Sequence, residues 1–369
     1  NKRFAIRGGF FLKKRNGKID FFKFVFSLII VFHHSKMLVG EENSLFLGGS
    51  FAVEFFFIVS GCLMMASIKR ASEAHSSLLL GKETRNYIKK KVKPLFPEML
   101  LSYCIALVFV SYAQSRNIIG LFMRSFHSLM LWDMSGLREE PINTATWYIS
   151  AMLLCMAILY PLIRKFPDIM LSVVIPLSIL LILGYFNGNR TSPRGPTEWL
   201  GLTYKGNLRA FAELGIGICC YPLIQIVKKT HYTIFGRILL TITEILCYIS
   251  LIVYMQFKEA SGLDYFFIPV FAIAIVISFS HKSIGSHFFD NKVTGYLAKY
   301  SLSLYLCHYF YAENLHYLLP AGYNNQQAMA VYLILSFTTA LIVMLFSDIL
   351  RKHYKDIKGF AKKLLVKST

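Results

Sequence analysis

Apolar runs of about 20 residues recur along the whole 369-residue chain, separated by short segments rich in Lys, Arg, Asn, Gly and Pro. Runs of that length match helices that cross a bilayer. Ten candidate spans lie near residues 19–38, 46–68, 95–114, 143–163, 168–187, 207–227, 238–257, 264–280, 295–318 and 327–350. The longest connections, 69–94 and 115–142, are too short for a soluble domain. Gly120 to Asp133 is apolar enough to lie along the membrane surface. The pattern predicts an all-α, polytopic integral membrane protein of about ten transmembrane helices, a single domain over residues 1–369.

Composition agrees with that reading. Hydrophobic residues make up 55% of the chain and charged residues 16%, with a mean hydropathy of +0.50, which excludes an ordinary soluble domain. The net charge of +20 does not indicate a nucleic-acid partner, because the basic residues are split into short segments between apolar runs. Their distribution orients the chain instead. With a cytoplasmic amino terminus, the inner segments hold 29 Lys and Arg and the outer segments 8, so both termini are expected on the cytoplasmic side. The inner set includes the basic segment 1–18 and the basic tail 351–369, and an odd number of spans would place that tail outside. The first apolar run lacks an Ala-x-Ala-like site and is long enough to span, so it reads as a span rather than a cleaved leader. All seven cysteines fall inside predicted spans, and none has the spacing of a metal site. Neither a disulfide nor a bound metal is expected.

Ionisable residues inside such spans cost roughly 2.5–3.5 kcal/mol each on insertion scales and usually mark a site. The first span holds Lys23 and His34 eleven residues apart. Eleven residues advance a helix by three turns plus about 20°, so Lys23, Ser27, Ile30 and His34 form one stripe. His33 points about 100° away. In the second span Glu54 and Gly61 share a face, and Gly61 permits close helix approach. In the sixth, Arg209 and Glu213 stand at i and i+4 with Gly217 beyond, which suits an internal ion pair beside a small-residue contact. The ninth aligns Ser301, Tyr305 and His308, with Lys299 near its inner end. Simpler roles compete with functional ones: an interfacial histidine, a buried pair that pins two helices, and belt tryptophans at Trp147 and Trp199.

Five elements carry a resemblance. They are the Lys23 to His34 spacing; Gly48-Gly49 followed by Val53-Glu54-Phe-Phe-Phe-Ile-Val-Ser60-Gly61; Trp147-Tyr148; Arg209-x-x-x-Glu213-x-x-x-Gly217; and Ser301-x-Ser303-x-Tyr305-Leu-x-His308. In this order they resemble the acyltransferase-3 superfamily of membrane O-acyltransferases, across nearly the whole chain. The chain departs from that pattern at Lys23, where the family has Arg, and at Glu54, where it usually has Asp. The family's Arg-x-x-Arg before the third span appears as Lys91-Val-Lys93-Pro94.

The resemblance implies transfer of an acyl group, most often acetyl, from cytoplasmic acetyl-CoA to a hydroxyl of a surface polysaccharide or its lipid-linked precursor, in the bacterial cell membrane. His34 is the expected base or acyl carrier, with Glu54 orienting it. Lys23, Lys90, Lys91, Lys93 and Arg209 are expected to face the coenzyme, and His33, Ser60, Gly61, Trp147, Glu213, Tyr305 and His308 to bind acceptor or support the site. The lipid bilayer and the glycan are the expected partners. No fused esterase-like domain is expected, and a separate acceptor-specific protein is a further expected partner. A multi-pass exporter or flippase of a glycan or small acid is the alternative; transporters commonly show matching interrupted helices in two repeats, and the halves of this chain show no such correspondence.

Overall fold

The computed structural model describes residues 15–74, 78–137, 141–320 and 322–367, with side chains through residue 353. The basic residues Lys2, Arg3, Arg7, Lys13, Lys14 and Arg138, and the side chains of the tail beyond 353, lie outside the described residues. The described chain is helical throughout, with no strand. Its helices are α1 (Gly17–His34), α2 (Lys36–Val39), α3 (Val53–Glu73), α4 (Leu80–Ala113), α5 (Ile118–Leu129), α6 (Trp147–Lys165), α7 (Pro167–Ile169), α8 (Ile175–Gly188), α9 (Lys205–Lys229), α10 (Ile234–Phe257), α11 (Asp264–Ser280), α12 (Lys292–Cys307), α13 (Tyr309–Asn314) and α14 (Asn325–Lys367).

Eight of the described helical segments are long and apolar enough to cross a membrane, and Asp264–Ser280 is a shorter apolar helix. The protein is a multi-pass membrane protein. Local chemistry sets several helix starts: the side chains of Asn16, Asn117, Thr233 and Asn291 accept from backbone N–H groups in the first turns of α1, α5, α10 and α12, groups that have no partner inside the helix.

Three boundaries differ from the sequence expectation. The segment 69–94 is mostly helix rather than loop, because α3 runs on to Glu73 and α4 begins at Leu80. At 1.5 Å per residue α4 is about 50 Å long, so its basic first half extends beyond its apolar run. The connection 115–142 contains α5, a helix with apolar residues such as Ile119 and Met123 exposed. The expected span 295–318 breaks after Cys307, where His308 separates α12 from α13.

The deepest packing joins α3 to α9. A Cβ on Gly61 would overlap the carbonyl oxygen of Leu214, and one on Gly217 would overlap that of Ile58. Helix α1 packs along α12, and α12 in turn packs against α4 and α14. One apolar core fills the space among α1, α3, α6, α9, α10 and α11; a second lies among α4, α12, α13 and α14. Helices α1 and α12 are parallel neighbours, since Lys23 and Lys299 line one cavity near their first turns while His34 and His308 touch at their last.

Candidate active site

The bundle opens at the end where α1 and α12 begin. A cavity of about 700 Å³ there is lined by Arg15, Asp20, Lys23, Glu98, Lys299, Asp348, Arg351 and Lys352, among others. Its carboxylates hold its cations in place. Asp20 binds Arg15 at 2.7 Å and Lys23 at 3.2 Å, Asp348 binds Lys299 at 2.5 Å and Arg351 at 3.2 Å, and Glu98 binds Arg351.

A second, narrower cavity of about 330 Å³ shares Lys23, Pro94, Leu95, Ala298 and Leu302 with the first and continues it inward. Lys23, Lys90 and Lys91 line it, and no carboxylate does; Ser27, Ser60, Tyr148, Ser301 and Tyr305 supply hydroxyls. Along α1, α3, α6 and α12 the lining residues farthest from the mouth are Ser27, Val53, Tyr148 and Tyr305, so these form the deep end. Ser60 Oγ lies 3.4 Å from Tyr148 Oη, and Tyr305 Oη donates to the carbonyl of Ala145 at 2.7 Å. Lys93 is outside both linings.

Beyond Tyr305 stand two imidazoles. The ring of His308 is 5.8 Å from that of Tyr305 and 5.1 Å from that of His34. His34, two turns or about 10 Å past Ser27 on α1, is half-buried and does not line either cavity. Its Nδ1 lies 3.0 Å from the carbonyl of Ile30 and 3.1 Å from Nε2 of His308. His308 is fully buried, with Nδ1 3.1 Å from the carbonyl of Leu304. His33 turns away, as its 100° offset requires, and its Nδ1 bonds the carbonyl of Phe46 at 2.9 Å.

Glu54 faces α9 instead of His34. Arg209, fully buried, donates through Nε to Glu213 at 3.0 Å and through Nη2 both to Glu54 and to the carbonyl of Ser50. Its guanidinium lies 5.4 Å from the Trp147 ring centre. Thus Glu54, Arg209, Glu213 and Trp147 form one buried cluster with Gly61 and Gly217 beside it, and none of these six residues lines either cavity. Glu54 Oε1 and Glu213 Oε2 are buried without a hydrogen-bond partner.

The sequence reading missed two buried ion pairs: Lys18 with Glu244 at 2.5 Å, and Arg194 with Asp264 at 2.5 Å. Glu244, an acid inside an apolar run, was a visible signal for the first. It also missed the acidic side of the mouth, Asp20, Glu98 and Asp348, which no short motif marks.

Comparison with known proteins gives one family match. The family model described as an acyltransferase domain matches residues 16–348. No curated protein and no solved structure matches the chain.

Proposed function

This chain belongs to the acyltransferase-3 family, and from that premise we propose that it moves an acetyl group from acetyl-CoA to a hydroxyl of a cell-surface or lipid-linked polysaccharide, with His34 as the reacting base or acyl carrier. The observation that carries this reading is the cavity that narrows from a cationic mouth toward the His34–His308 pair. Seven cations and three carboxylates line the joined cavities, a surplus that suits a ligand bearing several phosphates. Positive-inside orientation puts that mouth in the cytoplasm, where acyl-CoA is available.

In this account Arg15, Lys299, Arg351 and Lys352 hold phosphates at the mouth, while Lys23, Lys90 and Lys91 guide the donor into the neck. The hydroxyl-lined deep end receives the thioester. Tyr305 stands between that end and the imidazoles, so its ring swings aside when the acyl group meets His34.

Two routes use the same His34 nitrogen. As a base, Nε2 takes the proton of the acceptor hydroxyl while its oxygen attacks the thioester carbonyl; the C–S bond breaks and the departing thiolate receives that proton. As a carrier, Nε2 itself bonds the carbonyl carbon, the C–S bond breaks and the thiolate takes a proton from water. The acceptor oxygen then attacks the same carbon, the C–N bond breaks, and the hydroxyl proton passes to water. The Glu54–Arg209–Glu213 cluster holds α3 against α9 and so keeps the neck in shape.

The test of the overall reading is NMR of the host's surface glycan with and without this protein. Ester methyl signals that vanish on deletion and return with the wild-type gene support it; an unchanged spectrum counts against a polysaccharide acceptor.

A further inference from the structure

We propose that His308 is a positioning residue that, together with the carbonyl of Ile30, holds His34 as its Nδ1–H tautomer, so that Nε2 of His34 always carries the reactive lone pair. This inference rests on the reading of His34 as the reacting group, and it holds for the base and carrier routes alike.

The hydrogen-bond geometry gives one consistent solution. Nδ1 of His308 lies 3.1 Å from the carbonyl of Leu304. A carbonyl can only accept, so this nitrogen carries the hydrogen. In neutral His308 the lone pair is therefore on Nε2, the atom 3.1 Å from Nδ1 of His34. His34 Nδ1 must donate to it, and the carbonyl of Ile30, 3.0 Å from the same atom, makes the same demand. A protonated His308 would set one N–H against another. Each imidazole reaches back four residues to a carbonyl near the end of its own helix, and that of Leu304 also accepts the backbone N–H of His308 at 3.2 Å. The two rings meet because α1 and α12 run parallel and end at the same level. The sequence offers Leu304 and Ile30 as ordinary apolar residues, so nothing short of the fold reveals the chain.

The consequence for reaction is electrostatic. Both routes leave positive charge on the His34 ring, and that charge strengthens the bond from Nδ1–H to the His308 acceptor. The carbonyl-rich carboxyl-terminal end of α1 adds to the effect. The logic is that of a histidine oriented and stabilised by a third group.

The experiment uses the full chain in detergent, with ¹⁵N-labelled histidine and steady-state kinetics on acetyl-CoA. Wild-type His34 is expected as the Nδ1–H tautomer. His308→Leu is expected to lower kcat about tenfold to a hundredfold with KM for acetyl-CoA unchanged, the scale of one charge-assisted hydrogen bond. His308→Gln, whose side-chain oxygen can accept, should recover part of that loss. An Nε2–H tautomer in the wild type, or equal kcat in His308→Leu and wild type, overturns the proposal. Loss of activity in His34→Ala with full activity in His308→Leu would overturn the positioning role alone and leave the wider reading standing, whereas full activity in His34→Ala would remove both.

Discussion

A Cβ placed on Gly61 would sit 3.0 Å from the Cα of Gly217, and one on Gly217 would sit 2.9 Å from the Cα of Gly61. Helices α3 and α9 thus touch backbone to backbone at a pair of glycines 156 positions apart in the chain. Since backbone atoms are what a new side chain would meet, neither helix can yield by a rotamer change. Gly61→Ala and Gly217→Ala are each expected to destabilise the protein by about 1–3 kcal/mol or more. Thermal unfolding in detergent reads this directly, and a melting temperature equal to wild type would contradict the close crossing.

Beside that crossing, Arg209 holds two carboxylates in a site without water exposure. Arg209→Leu leaves both acids uncompensated and is expected to cost about 3–5 kcal/mol, enough to abolish folded yield in a marginally stable chain. The triple variant with Glu54→Gln and Glu213→Gln removes the stranded charges and should recover folded protein. If Arg209→Leu alone purifies with wild-type stability, the cluster does not hold α3 to α9.

Lys23 lines both cavities and is tied to Asp20 at 3.2 Å. Its expected contribution is charge at the throat, so Lys23→Ala should raise KM for acetyl-CoA more than Lys23→Arg does. The same loss in Lys90→Gln and Lys91→Gln, weaker at high salt, would fit screening of a partly exposed phosphate site. Equal KM values for Lys23→Ala and Lys23→Arg would count against a role for the charge.

Acid pH acts at a different place. Asn16 caps α1 through its side-chain oxygen, and its amide nitrogen donates to the carbonyl of Ser278 at 2.9 Å and to Nε2 of His281 at 3.0 Å. Burial of the His281 ring pushes its pKa below the ordinary 6.5, so the folded state favours the neutral ring. The stabilisation is present above the ordinary value and is lost as pH falls through the lowered one. Melting temperature should therefore fall on acidification below about pH 6.5, and His281→Gln should flatten that fall. An identical pH profile in the variant would show that other groups cause it.

Much of the neck was legible from spacing. Lys23 and Ser27 lie on the stripe that eleven-residue geometry predicts, and Ser60 and Tyr305 line the same cavity. The i and i+4 spacing of Arg209 and Glu213 likewise gave their ion pair. In each case an ionisable or small residue interrupts an apolar run, and periodicity then fixes its direction. Other features left no local trace. Arg194 meets Asp264 across 70 positions and Arg351 meets Glu98 across 253; only helix packing brings such partners together. The first half of α4 reads as a polar loop because its Lys, Arg and Glu residues outnumber the few apolar ones, such as Tyr87, Ile88 and Val92, that pack on the core. No glycine or proline marks the break at His308. The partner of His34 was therefore invisible: Glu54, the acid expected to orient it, is held by Arg209 on another helix, and the adjoining group is a second histidine.

The most direct test of the central claim is acetyl-CoA turnover by purified protein with a glycan acceptor, comparing wild type with His34→Ala after thermal unfolding has shown both to be folded. The account predicts free CoA and labelled acetyl ester from the wild type and neither above background from His34→Ala. Turnover by His34→Ala at the wild-type rate would contradict it.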